Sequence, residues 1–85
     1  MDLEVFVVPN CARCRRLKEL LRAAGLAYVE RDAAASLSDL RRLRRLSGGA
    51  AVPVLALGQE SWPALTIEQA GAAVAELRRR LDGPS

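Results

Sequence analysis

Cysteine occurs at only two positions in this 85-residue chain, Cys11 and Cys14, separated by Ala12 and Arg13. An apolar, largely β-branched run from Leu3 to Val8 leads into the pair through Pro9-Asn10, and a basic amphipathic stretch leads out of it. A Cys-x-x-Cys motif at the junction of a strand and a helix constrains the fold more than any other feature. It puts the first sulfur beside the backbone N–H groups that a helix start leaves without partners. In that context the spacing points to thiol–disulfide chemistry.

The rest of the chain supplies a frame for that junction. Residues 3–8 read as a strand apolar enough to be buried on both faces, ended by Pro9, which cannot donate to a ladder. Residues 12–24 read as a helix, with Cys14, Leu17, Leu21 and Ala24 at helical spacing, Leu20 widening the stripe and Gly25 as the stop. A short strand over 27–31 makes this a βαβ unit, whose strands pair in parallel. Ser36 and Asp39 form a capping box for a second helix reaching about Leu46, ended by Ser47-Gly48-Gly49. Residues 53–57 and 60–62 read as a hairpin across a Gly58-Gln59 turn of type II′, the last strand stopped at a sheet edge by Pro63. Thr66 and Gln69 cap a final helix with Ile67, Ala70, Val74, Leu77 and Leu81 as its apolar positions, Arg78 to Arg80 in its last turn and Gly83-Pro84 beyond it. The order β-α-β-α-β-β-α predicts one domain over 1–85, an α/β fold of the thioredoxin-like type: a four-stranded mixed sheet flanked by three helices.

Composition narrows the chemistry. There is no histidine, which excludes Ser-His and Cys-His catalysis and histidine-containing metal sites. No apolar run reaches the eighteen or so residues of a membrane span. Met1-Asp2-Leu3-Glu4 does not look like a signal peptide, so the expectation is a cytoplasmic protein with no membrane partner. In that reducing setting a lone cysteine pair is catalytic or metal-binding rather than a structural staple. Two thiolates fall short of the four ligands of structural zinc, so a metal or iron–sulfur site would need a dimer or borrowed glutathione. The expectation is no bound metal or cofactor, the redox centre being a reversible Cys11–Cys14 disulfide. Net charge is +3, and twelve of the thirteen basic residues are arginine, Lys18 being the only lysine. With few aromatic residues to stack bases, these arginines read as solvated helix faces and not as a nucleic-acid surface.

At a helix start the macrodipole favours the Cys11 thiolate by up to about 2 kcal/mol. A fall of roughly two units from about 8.5 would raise the thiolate at pH 7 from about 3% to about 75%. Arg13, Arg15 and Arg16 act in the same direction, more weakly because salt screens them. Positions i and i+3 lie on one helix face, so Cys11 is expected to attack a substrate disulfide. Cys14, deeper on the apolar stripe, is expected to resolve the mixed disulfide.

Leu46-Ser47-Gly48-Gly49-Ala50-Ala51-Val52-Pro53 resembles the glutaredoxin stretch Leu-Thr-Gly-x-x-Thr-Val-Pro. The resemblance implies that Pro53 is a cis-proline facing the cysteines and that Val52 offers its backbone to a docking substrate, with Ala12 and Arg13 beside it. Within that family the chain is similar to the NrdH-redoxins, reductants of ribonucleotide reductase, which share Pro-Asn-Cys-x-x-Cys and a Pro-Val…Gly-x-x-Ser-Trp pattern met here by Pro53-Val54, Gly58, Ser61 and Trp62. By this resemblance the partners are a disulfide-containing protein and either thioredoxin reductase or glutathione, with electrons drawn ultimately from NADPH, and the chain acts as a monomer. Val8 stands where glutathione-binding members usually carry a basic residue. Pro63-Ala64-Leu65 replaces their Gly-Gly pair, and the Ser-Gly-Phe-Arg-Pro that follows the tryptophan in NrdH-redoxins is absent. Trp62 either closes the core edge or lines the substrate groove beside Pro53.

Overall fold

The structure is a computed structural model that describes residues 2–49, 51–63 and 66–81. The elements are β1 (Leu3–Val7), α1 (Ala12–Ala23), β2 (Val29–Asp32), α2 (Leu37–Ser47), β3 (Val54–Leu57), β4 (Glu60–Trp62) and α3 (Ile67–Leu81). They form one sheet in the order β2-β1-β3-β4. β1 pairs in parallel with β2, Val5 opposite Glu30, and antiparallel with β3, Val5 opposite Leu55; β3 and β4 are antiparallel. This is the thioredoxin-like arrangement expected from the sequence.

Alternation along β1 divides the core in two. Leu3, Val5 and Val7 face α1 and α3 and pack with Leu17, Leu21, Val74 and Leu77. Phe6 faces the other way and packs with Leu43, Val54 and Ala56 beneath α2. Both faces of the strand are thereby covered, which is why a run that is apolar except for Glu4 suits it. Leu17, Leu21, Leu43 and Leu77 are fully buried, each worth about 1.5–3 kcal/mol relative to exposure.

Glu4 shares the α2 face with Phe6 and is 6% exposed. Its burial is compensated by two arginines. Arg42 Nη2 donates to Glu4 Oε1 at 2.6 Å, and Arg31 Nε donates to Oε2 at 3.1 Å. Together they tie β1 to β2 and α2.

Helix ends follow local chemistry. α1 closes in a Schellman motif: Leu26 N–H donates to Leu21 O and Gly25 N–H to Arg22 O, both at 3.0 Å, with Gly25 at φ 73°. Because Leu26 is engaged there, β2 starts at Val29, two residues later than periodicity predicts. β1 stops at Val7 instead of Val8, and β3 begins after Pro53, which has no N–H to give a ladder. The α2 cap is half of the expected box: Asp39 N–H donates to Ser36 Oγ at 3.3 Å, but Ser36 N–H is bound to Asp32 O at 3.1 Å. At α3 both halves form, Gln69 N–H to Thr66 Oγ1 and Thr66 N–H to Gln69 Oε1, at 3.2 and 3.1 Å. The hairpin turn has φ 63° at Gly58, and Asn10 is the only non-glycine with positive φ among the described residues, as a type II′ turn requires.

One expectation needs correction. Ile67 and Leu81, read as apolar stripe, are 57% and 49% exposed; the buried stripe of α3 is Ala70, Ala73, Val74 and Leu77. Ile67 and Leu81 are the first and last residues of the helix, outside the stretch 70–77 that packs in the core with α1. The Gly83-Pro84 stop lies outside the described residues, as do Ala64 and Leu65.

Candidate active site

Pro9 and Asn10 turn the chain from β1 into α1. Asn10 adopts φ 60°, a left-handed conformation that asparagine tolerates better than most non-glycine residues. The turn delivers Cys11 to the N-cap of α1, with extended backbone (φ −108°, ψ 108°). Its carbonyl accepts from Arg15 N–H at 3.1 Å, opening the helix ladder. Its Sγ accepts from Cys14 N–H at 3.1 Å, the bond that a serine or aspartate oxygen makes at an ordinary cap. The first turn of α1 carries no acidic residue, so no carboxylate competes with the sulfur for the exposed N–H groups.

Cys11 and Cys14 are disulfide-bonded, with Cα atoms 5.2 Å apart, inside the ordinary range. Their environments differ. Cys11 is half-buried at the rim of the α1–α3 core, whereas Cys14 is 2% exposed within it. Ala12 and Arg13, between them, are exposed.

The Val52–Pro53 peptide is cis. Pro53 is fully buried, and Val52 is half-buried, packed against both core clusters. Trp62, the last residue of β4, is half-buried. It packs on the α1–α3 core beneath the Arg80 guanidinium, 5.6 Å from the ring centroid. It lines a cavity of about 410 Å³ between β4 and α3 with Pro63, Gln69, Ala73 and Glu76. The cysteines line a different cavity, of about 170 Å³, whose wall includes Val8, Lys18, Glu30 and Asp32. Lys18 and Glu30 form an ion pair there at 3.2 Å. The sequence marks Lys18 as the only lysine but gives no reason to place it, Glu30 or Asp32 at the site, although the lysine's position one turn beyond Cys14 is a visible signal. Sequence reasoning also passed over Ser61 as a fold element: its Oγ donates to Leu46 O at 2.8 Å, fastening β4 to the end of α2. Among the described residues no three cysteine, aspartate or glutamate side chains converge where they could hold a metal ion.

A mixed four-stranded sheet with a cysteine at the N-cap of its first helix, bonded to a second cysteine one turn on, defines a thioredoxin-like protein carrying a dithiol–disulfide centre. The family model of glutaredoxin matches residues 3–62, from the first residue of β1 to the last of β4. Glutaredoxin-1 of Bos taurus is 36% identical over 62 residues, 66% of this chain and 58% of that protein. The chain thus spans a little over half the length of this relative. The solved thioredoxin-like protein BC3987 superposes with a TM-score of 0.72 at 27% identity, over 79% of this chain and 92% of that one. NrdH-redoxin from Escherichia coli superposes with a TM-score of 0.71 at 19% identity, over 100% and 99%. The chain belongs to the glutaredoxin family.

Proposed function

We propose that this chain is a small dithiol–disulfide oxidoreductase that reduces disulfides of protein substrates. The observation that carries the reading is the asymmetry of the pair: a half-exposed sulfur at a helix N-cap, joined to a sulfur that is 2% exposed. In the reduced protein the Cys14 N–H and the helix dipole favour the Cys11 thiolate over the thiol. That thiolate attacks one substrate sulfur, forming a mixed disulfide and releasing the other as a thiolate. Cys14 then attacks the Cys11 sulfur; the Cys11–substrate bond breaks and the Cys11–Cys14 disulfide forms. The substrate gains two electrons, which a reductase returns to the pair from NADPH.

Substrate docking is assigned to the backbone of Val52, ahead of Pro53, taking up an extended segment of the substrate by strand-like pairing. Ala12 and Arg13 meet the flanking residues. Trp62 enters this reading as a wall of the core, because the cavity it lines is lined by neither cysteine. Val8, half-buried and packed on the α2 side, offers no charge to a glutathione carboxylate. The reading therefore favours thioredoxin reductase over glutathione as donor, with a protein such as ribonucleotide reductase as acceptor.

Paired NADPH assays on a protein disulfide test it, one arm supplied with thioredoxin reductase and the other with glutathione and glutathione reductase. Turnover is expected in the first arm and lost in Cys11→Ser. Turnover confined to the second arm would reassign the donor, and none in either arm would remove the proposal.

A further inference from the structure

Resolution of the mixed disulfide asks a buried group to ionise. Cys14 must lose a proton before it attacks, yet it is 2% exposed in an apolar core, which disfavours the thiolate. Its opening towards solvent is the cavity of about 170 Å³ that it shares with Cys11. At about 30 Å³ per molecule that space accommodates several waters.

The charged groups lining this cavity come from two elements. α1 gives Arg15 and Lys18, and β2 gives Glu30 and Asp32, while β1 and the Pro9-Asn10 turn give none. Each of the four has a limit or a partner. Arg15 is exposed and cannot give up its proton in this range. Asp32 Oδ1 is held by the N–H groups of Ala34 and Ala35 at 2.9 and 3.2 Å. Lys18 lies one turn beyond Cys14, its side chain 23% exposed, with Nζ 3.2 Å from Glu30 Oε1. A compact ammonium on a flexible stem can turn from one anion to another, which the planar fork of an arginine does less readily. It is the one lysine in a chain that otherwise uses arginine.

Building on the redox reading above, we propose that the Glu30–Lys18 pair is the proton acceptor and counter-ion for Cys14 during resolution. The Glu30 carboxylate takes the Cys14 proton through water in the cavity. Lys18, released from its carboxylate, then faces the thiolate, so the net charge of the cavity is unchanged. Cys14 attacks the Cys11 sulfur, the disulfide between them forms, and the substrate leaves as a thiolate that is protonated from water. Glu30 returns its proton to solvent and the ion pair re-forms. Both residues act through Cys14 and not on the substrate.

The test is stopped-flow reaction of the reduced full chain with an aromatic disulfide whose thiolate is coloured. Attack by Cys11 releases one thiolate and resolution by Cys14 a second, so the two steps appear as separate phases. Glu30→Gln and Lys18→Met are expected to leave the first phase within about twofold and to slow the second about tenfold at pH 7. Higher pH raises the ionised fraction of Cys14 without help from an acceptor, so at about pH 10 the deficit should fall to less than about half of its value at pH 7. A merely structural role for the pair would not produce that recovery with pH. A second phase unchanged at pH 7 in both variants, or slowed equally at both pH values, would overturn the inference. A wild-type chain that releases only one thiolate would instead count against the redox reading itself.

Discussion

The Sγ of Cys11 accepts a hydrogen bond from the backbone N–H of Cys14 at 3.1 Å. One residue thus caps the helix with its sulfur while the other supplies both the capping N–H and the partner sulfur. The helix start stabilises negative charge on Cys11 and gives Cys14, one turn further in, no such help.

Reduced protein exposed briefly to iodoacetamide is therefore expected to carry the label on Cys11. Its rate should exceed that of Cys14 by at least about tenfold, because thiolate character and access both favour it. Peptide mass spectrometry reads the ratio, and equal labelling would contradict the asymmetry.

Asn10 holds φ 60° immediately before the cap. Asn10→Gly is expected to leave stability nearly unchanged, and Asn10→Val to cost at least about 1 kcal/mol, because a β-branched residue fits the left-handed region poorly. Urea denaturation of the two variants measures the difference.

Glu4 joins two strands and a helix through Arg31 and Arg42. The hydrogen bond from Arg42 holds its carboxyl below the ordinary range, burial opposes this, and the Arg31 hydrogen bond and both charges add to the lowering. A carboxyl lowered in the folded state stabilises the fold above its unfolded pKa, and that contribution is lost as pH falls through the folded value. Because both arginines are more than a third exposed on the side chain, Glu4→Gln is expected to cost about 1–2 kcal/mol at pH 7. The gap between wild type and variant should shrink below roughly pH 4. Urea midpoints at pH 7 and pH 3 test this, and a gap that widens in acid would contradict it.

The capping box of α3 is complete, so Thr66→Ala is expected to cost about 1 kcal/mol. Ser36→Ala removes a cap in which only one of the two bonds forms, and it should cost less. Thermal or urea unfolding of the pair compares them.

Most of the fold was legible because local signals and tertiary needs agree. The mostly apolar run of β1, the Gly25 stop and the Thr66–Gln69 box each say locally what the sheet requires globally. The misreadings arose where a remote partner decided. Ile67 and Leu81 keep helical spacing but stand at the two ends of α3, outside the stretch that packs in the core. Asp39 lost half of its box because Asp32 O captured Ser36 N–H. In the site, Cys11 and Cys14 declare themselves by spacing. The Lys18–Glu30 pair does not, since only the parallel pairing of β1 and β2 brings residue 30 alongside a helix that begins at residue 12. Nor could the sequence reveal that Trp62 and the cysteines line separate cavities.

The central claim is that Cys11 attacks and Cys14 resolves. Its most direct test is the intact mass of reduced Cys14→Ser and Cys11→Ser proteins after mixing with a disulfide-bonded peptide. The account predicts that Cys14→Ser accumulates one stable peptide adduct, on Cys11, while Cys11→Ser remains unmodified over the same time. An adduct formed as fast through Cys14 in the Cys11→Ser protein, or none on Cys11, would contradict it.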